Sequence, residues 1–205
     1  MSQKDFEKWE KRYANADTES LGTIDPFFKE VEESLPFSGK ALDLAGGTGR
    51  HALFLAQRGL DVTLIDVSPR GLAVADAAAN TAGYSISTKA LDLEEAKLPN
   101  GPFDLVLCSW YLLAPHLFEE ISRVLHPDGR FVYVQPTPTH LERHKHPGRR
   151  FVIEATELET RVANAGLEIL CLEAGWDCRD NHTARLMARK PGAEESGPIS
   201  RAPES

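Results

Sequence analysis

Asp43, Gly46, Gly47, Gly49, Asp66, Asp92 and Cys108 are the residues whose types and spacing could do chemistry. Residues 41–44 (Ala-Leu-Asp-Leu) read as a buried strand, residues 45–49 (Ala-Gly-Gly-Thr-Gly) as a turn, and the apolar periodic segment from His51 as a helix. Glycines in such a turn permit φ > 0 and let a ligand lie against the backbone. The helix that follows starts with free N–H groups. Asp43 sets the charge of the ligand. A carboxylate just before the glycines disfavours a pyrophosphate and favours a cation, or a ligand rich in hydroxyls and amines. Asp66, with Val67 beside it, lies 17 residues past Gly49 at the end of the next strand. An acid there is placed to accept hydrogen bonds from ribose hydroxyls. Asp92 offers an acceptor for an adenine amine, and Leu93 an apolar face or a backbone N–H. Cys108 and Ser109 end a fourth strand on the same edge. Open α/β sheets bind ligands at the carboxyl ends of their strands, near the point where strand order reverses. Together and in this order, these residues specify an adenosine-bearing ligand.

The elements that must position them follow from periodicity. Residues 61–67, 86–93, 103–108 and 130–135 read as further strands, separated by helices over 51–57, 69–79 and 115–125. Alternation of strand and helix predicts a parallel sheet with helices on both faces. After a helix over 154–165, strands over 167–172 and 183–189 leave no room for a crossover helix, so they should form a hairpin, with Trp176 in its loop. Asp25-Pro26 caps a helix carrying Phe27, Phe28, Val31 and Leu35. Phe6, Trp9 and Tyr13 have helical spacing, as an amphipathic helix packed on the domain or as part of a lid over a ligand. The expected organisation is a single domain over 1–190, its N-terminal helices or lid within 1–35. A disordered Pro/Gly/Ser/Glu-rich tail is expected over 191–205.

The formal net charge of -8 argues against a general nucleic-acid binder. No apolar run is long enough to span a membrane, and the polar start lacks a signal-peptide core. Cys108, Cys171 and Cys178 form no CxxC pair, so reduced thiols and a cytoplasmic location are expected, with no metal site. His140, Arg143, His144, Lys145, His146, Arg149 and Arg150 form the one basic stretch. It is read as a solvated loop, a lid attracting an anionic acceptor, a zinc site, or a phosphate contact.

Residues 41–78, Asp92-Leu93 and the block 103–134 resemble the class I S-adenosylmethionine-dependent methyltransferases. The family's Asp-Leu-Gly-x-Gly-x-Gly has Ala45 at its first glycine, which is tolerable where that residue keeps φ < 0. The turn Leu125-His126-Pro127-Asp128-Gly129 matches the family's Leu-x-Pro-x-Gly. Residues 110–113 (Trp-Tyr-Leu-Leu) and 151–158 are similar to the small tellurite-resistance-type branch. The resemblance implies a Rossmann-like, doubly wound seven-stranded sheet of order 3-2-1-4-5-7-6 with strand 7 antiparallel. It implies S-adenosyl-L-methionine as cofactor, held by Asp43, Ala45, Gly46, Gly47, Gly49, Asp66, Val67, Asp92, Leu93 and Cys108. A small-molecule acceptor would receive the methyl group by in-line transfer, with Tyr111 and His116 on the acceptor side as candidate catalytic residues. The alternatives are a nicotinamide-dependent oxidoreductase, since Gly47-Thr48-Gly49 loosely fits a dinucleotide turn, an RNA methyltransferase, and a non-catalytic cofactor-binding module.

Overall fold

The structure, a computed structural model, describes residues 3–18 and 21–192. Helix α1 (Gln3–Tyr13) and helix α2 (Pro26–Glu30) precede strand β1 (Lys40–Leu44). There follow α3 (Arg50–Gln57), β2 (Asp61–Asp66), α4 (Pro69–Thr81), β3 (Ser87–Ala90), β4 (Phe103–Ser109) and α5 (Pro115–Val124). The chain closes with β5 (Leu125–Pro136), α6 (Ala155–Asn164), β6 (Glu168–Trp176) and β7 (His182–Arg189). The sheet runs β3-β2-β1-β4-β5-β7-β6. Strands β1 to β5 are parallel, and β7 lies antiparallel to both its neighbours. The seven-stranded order expected from the resemblance is therefore the order observed.

The helix starts follow local rules. Asp25 caps α2 by accepting from the Phe27 N–H, and Ser68 caps α4 by accepting from the Gly71 N–H, each with proline at the first helical position. Strand parity then divides the core. Ala41, Val62, Leu64, Leu105, Leu107, Val132 and Val134 pack under α2, α3 and α4. Leu42, Leu44, Ile65, Val106, Cys108, Phe131 and Tyr133 pack under α5 and α6. Successive strand residues point to opposite faces, so Asp43 must enter the same apolar layer as Ala41. Its register partners are Leu64 on one side and Leu107 on the other, both fully buried.

Three boundaries differ from the sequence reading. β3 ends at Ala90, so Asp92 and Leu93 lie in the turn beyond it. β6 continues to Trp176, which pairs with His182, because antiparallel pairing with β7 carries the strand past the point where its apolar pattern fades. β5 begins at Leu125. The ladder passes from the pair Phe103–Leu125 to Leu105–Arg130, so residues 126–129 bulge out as the expected turn. The tail expected over 191–205 lies, from residue 193 on, outside the described residues. Among the described residues, no helix is long and apolar enough to cross a membrane.

Candidate active site

The glycine turn crosses the carboxyl edge of the sheet between β1 and α3. Gly47 and Gly49 have φ of 57° and 84°, and Ala45 has φ of 54°. Ala45 therefore departs from the expected φ < 0: the turn requires the left-handed region at 45 as well as at 47 and 49. An L-residue there costs about 1–2 kcal/mol, against about 0.5–1 kcal/mol for the extra unfolded-state freedom of glycine. Ala45→Gly is expected to stabilise the protein by up to about 1 kcal/mol, read as a shift in the urea midpoint at constant slope. An unchanged or lower midpoint would remove the strain argument.

Asp43 is 1% exposed, and neither of its carboxylate oxygens has a hydrogen-bond partner of good geometry. Burial pushes its carboxyl up to about 7, and the negative charge of Asp66 adds to the rise. The Arg50 guanidinium and, more weakly, the Ala52 N–H favour the charged form. A Cβ on Gly46 would fall 2.5 Å from Asp43 Oδ2. The missing side chain at 46 is thus what gives this buried carboxylate its room. A buried acceptor with unmet capacity, beside a turn without side chains, suits an ammonium group or a hydrogen-bond donor.

Asp66 is buried, and its oxygens hold the turn: Gly47 N–H donates to Oδ2 and Ser68 N–H to Oδ1, both at 2.9 Å. Burial raises its carboxyl above the usual range, partly offset by these N–H groups. Two bonds leave part of a carboxylate's capacity free. Val67 follows, half-buried. Asp92 accepts from the Glu94 N–H at 3.0 Å, shaping the turn that sets Leu93 into the core. Cys108 is fully buried, and burial holds its thiol protonated.

The two candidate catalytic residues are not side by side. Tyr111 is half-buried and lies within electrostatic range of Asp66, Asp92 and Glu94, on the side of the acids. Burial and these acids hold its phenol protonated. His116 is exposed in the first turn of α5. The loop carrying Tyr111 is tightly fixed. Tyr133 Oη donates to the Tyr111 carbonyl at 2.9 Å and accepts from the Leu113 N–H at 3.2 Å. Arg161 Nη1 donates to the Leu113 carbonyl at 3.0 Å.

Four further residues line the site, of which the sequence reading flags only Tyr13, as part of a packed helix or of a lid over a ligand. Tyr13, at the end of α1, lies over the turn: a Cβ on Gly47 would meet its hydroxyl at 2.5 Å, and one on Gly71 its ring at 3.0 Å. Glu10, one turn earlier, accepts from the Ser68 hydroxyl and the Arg70 N–H, latching α1 to α4. Trp110 follows β4 with φ of 60°; its N–H donates to the Val134 carbonyl and its Nε1–H to Asp25 Oδ2 at 3.4 Å. Arg50 directly follows the last glycine. A cation adjoining a glycine turn was the one signal that could have flagged it.

The basic stretch is in large part structural. His140 accepts at Nδ1 from the His182 N–H, so its Nε2–H donates to the His146 carbonyl; burial keeps it neutral. Its ring stacks on His144 and meets Trp110 edge-on. Arg143 stacks over Trp176 at 3.9 Å and pairs with Asp180. Lys145, His146, Arg149 and Arg150 are exposed. Among the described residues, no group of three or more His, Cys, Asp or Glu is placed to hold a metal ion.

A sheet of this order, with a buried acid before a glycine turn and a second acid at the end of β2, is the arrangement that the resemblance to class I S-adenosylmethionine-dependent methyltransferases implies. Residues 41–129, rather less than half of the chain, match the family described as a methyltransferase domain. YqeM of Bacillus subtilis (strain 168), a protein designated a methyltransferase, is 34% identical over 122 residues, 56% of this chain and 49% of the relative. The chain thus spans about half the length of that relative. TehB from Haemophilus influenzae shares the fold at TM-score 0.67 and 20% identity, covering 89% of this chain and 67% of TehB. An S-adenosylmethionine-dependent methyltransferase from Mesorhizobium loti does so at 0.64 and 19%, covering 86% and 99%. The [4+2]-cyclase SpnF does so at 0.66 and 22%, covering 80% and 79%. These likenesses concern the fold. TehB stands among several neighbours of comparable score.

Proposed function

We propose that the chain binds S-adenosyl-L-methionine at the glycine turn and directs its methyl group to a small-molecule acceptor by in-line displacement. The observation that carries this reading is Asp43, a buried carboxylate beside Gly46 with no hydrogen-bond partner of good geometry and only a weak contact from the Ala52 N–H. It suits the cofactor's amino group and is ill suited to a pyrophosphate, which counts against the nicotinamide alternative. Asp66 would take the ribose hydroxyls, with Val67 beside it, and Asp92 and Leu93 would flank the adenine. Ala45, Gly46, Gly47 and Gly49 would provide backbone to lie against, and Cys108 the floor. The cofactor, when bound, supplies an electrophilic methyl on a positively charged sulfur.

The protein's part is to align the acceptor and exclude water, which can lower the barrier by roughly 7–11 kcal/mol. Trp110 and Tyr13 supply walls on the two sides of the turn. His140 has both ring nitrogens engaged and is no base. Tyr111 and Tyr13 are held as neutral phenols, able to donate or accept a hydrogen bond but not to act as phenolates. An acceptor that is already nucleophilic, such as a thiolate or an oxyanion, needs no base. The exposed Lys145 and Arg149 would attract such an anion.

Calorimetry with the cofactor and its demethylated product, followed by an acceptor screen with labelled methyl, tests the reading. No binding of either at millimolar concentration sinks it. Binding without transfer across thiols, selenite, tellurite and small acids would favour a non-methylating use of the fold, a case made concrete by the cyclase neighbour. Asp66→Ala should weaken cofactor binding by about 1.5–3 kcal/mol. It should also lower stability, because the Gly47 and Ser68 N–H groups lose their acceptor. Unchanged affinity would take Asp66 out of the site.

A further inference from the structure

Residues 137–148 leave the carboxyl end of β5 as a strap, and one buried ring ties that strap to the β6–β7 hairpin. His140 is 2% exposed, and both its ring nitrogens are engaged. Nδ1 accepts from the His182 N–H at 3.2 Å, at the start of β7. Nε2–H donates to the His146 carbonyl at 2.9 Å, further along the strap. The ring stacks on His144 with centres 4.3 Å apart, and Trp110, directly after β4, meets it near a right angle at 5.6 Å. Three segments thus converge on one imidazole, which can serve them only as the neutral Nε2–H tautomer. A proton on Nδ1 would set a donor against the His182 N–H and undo the tie. Burial is the largest influence on the ring and holds it neutral below the usual histidine range. Positive charge on His144 or His182 acts in the same direction, and Asp177 of the hairpin acts against it. No carboxylate is bonded to the ring: Asp177 accepts from the Arg179 and Asn181 N–H groups, and Asp180 pairs with Arg143 and His144. Trp110 brings no charge. At the base of the strap, Gln135 Oε1 and Thr183 Oγ1 are buried without a hydrogen-bond partner. The closed strap therefore carries a cost as well as a clasp, which is what two states of similar energy require.

We propose that His140 is a proton-operated clasp: neutral, it holds the strap shut on the hairpin and against Trp110, and protonated, it releases the strap and uncovers Gln135 and Thr183 at the carboxyl edge of the sheet. The closed form binds the proton more weakly than an open, solvated imidazole does. Closure is therefore at full strength above about pH 6.5 and loses ground as pH falls below it, down to the depressed value of the closed ring. For a single proton the ratio of closed to open falls by up to about tenfold per pH unit in that window. Asp43 acts in the opposite sense, since its burial strengthens the whole fold at low pH. A loosening confined to the strap is thus distinguishable from a change in global stability.

The test is amide hydrogen exchange by NMR on the full chain without ligand, between about pH 7.5 and about pH 5, with rates corrected for the intrinsic effect of pH. Two amides report the clasp: His182, whose N–H bonds the ring, and His144, whose N–H bonds the His140 carbonyl. Their protection should fall by up to about tenfold per pH unit below about pH 6.5, while that of β1 and β4 does not fall. His140→Gln offers an oxygen and an N–H but cannot titrate, so it should flatten the profile. His144→Gln should leave the slope in place, because His144 bonds only Asp180 through its ring. A flat profile in the wild type, or an unchanged slope in His140→Gln, overturns the clasp. Imidazole nitrogen shifts of the wild type give a reading that needs no variant to fold. At about pH 7.5 His140 should be the Nε2–H tautomer, and finding Nδ1–H or a charged ring there overturns the proposal.

Discussion

Asp43→Asn is expected to flatten the fall in stability of the ligand-free protein between about pH 4 and pH 7, and to weaken cofactor binding by at least about tenfold. Burial raises the Asp43 carboxyl from 3.8 to about 7, with Asp66 adding to the rise and Arg50 and the Ala52 N–H opposing it. A carboxyl whose folded-state value lies above its unfolded one binds its proton more tightly when folded. Its stability contribution is fully present below the unfolded value and is lost as pH climbs through the folded one. A rise of about three units corresponds to at most about 4 kcal/mol. The loss should fall between about pH 4 and pH 7 and be complete above that. Asn keeps the shape and removes the titration. Its own amide is poorly satisfied among Leu64 and Leu107, at about 1–3 kcal/mol, so the slope and not the absolute stability is diagnostic. Melting temperatures of the two proteins across this pH range decide the matter, and parallel profiles would show that Asp43 is not the group responsible. In the wild type, affinity for the cofactor should rise over the same range, because its ammonium needs the charged carboxylate. The residue that costs the empty fold stability is thus the one that gives the ligand its site.

Most of the fold is legible in the sequence because each element carries its own period and punctuation. Glycine turns follow β1 and α3, Ser68-Pro69 opens α4, and the terminal strands are too close for a crossover. Asp43 was visible as an acid in an apolar strand, and its parity with Ala41 was enough to place it under α3. The lack of any partner for it was not legible, because that depends on Leu64 and Leu107 lying on either side. Ala45 misled because the conformation of a turn is a property of the whole turn. Three left-handed positions at 45, 47 and 49 bring the chain from β1 into α3, whatever residue stands first. Tyr13 and Trp110 owe their places to contacts between distant segments, which no local pattern encodes. The His/Arg-rich stretch is similar. His140 and His144 are committed by Trp110, after β4, and by Trp176, Asp180 and His182 of the β6–β7 hairpin. A window over the stretch shows only its charge.

Gly49→Ala is expected to lower stability by about 2–5 kcal/mol, from two costs that can be separated. The first is conformational. At φ of 84° an L-residue costs about 1–2 kcal/mol. The second is steric. A Cβ on Gly49 would lie 2.5 Å from the Ala75 Cβ and 3.2 Å from its Cα. Those atoms belong to α4 and cannot swing away, so α3 and α4 must part, an overpacking of about 1–3 kcal/mol. Gly47→Ala makes the contrast. Its Cβ would meet only the tip of Tyr13, which can rotate, so it should cost the backbone term alone and loosen α1. The double variant Gly49→Ala/Ala75→Gly isolates the steric cost. Ala75→Gly by itself should cost about 1 kcal/mol as a glycine inside a helix. In the Gly49→Ala background it should instead recover stability, leaving the φ cost in place. Chemical denaturation of the four proteins gives the coupling directly. Strict additivity would mean that the two helices yield without strain and that the close approach of α3 to α4 is not what demands glycine here. Arg50 is the next residue, so a helix pushed off α4 also carries the guanidinium away from Asp43. Gly49→Ala should therefore lose cofactor affinity even where the protein remains folded, whereas Ala75→Gly should not.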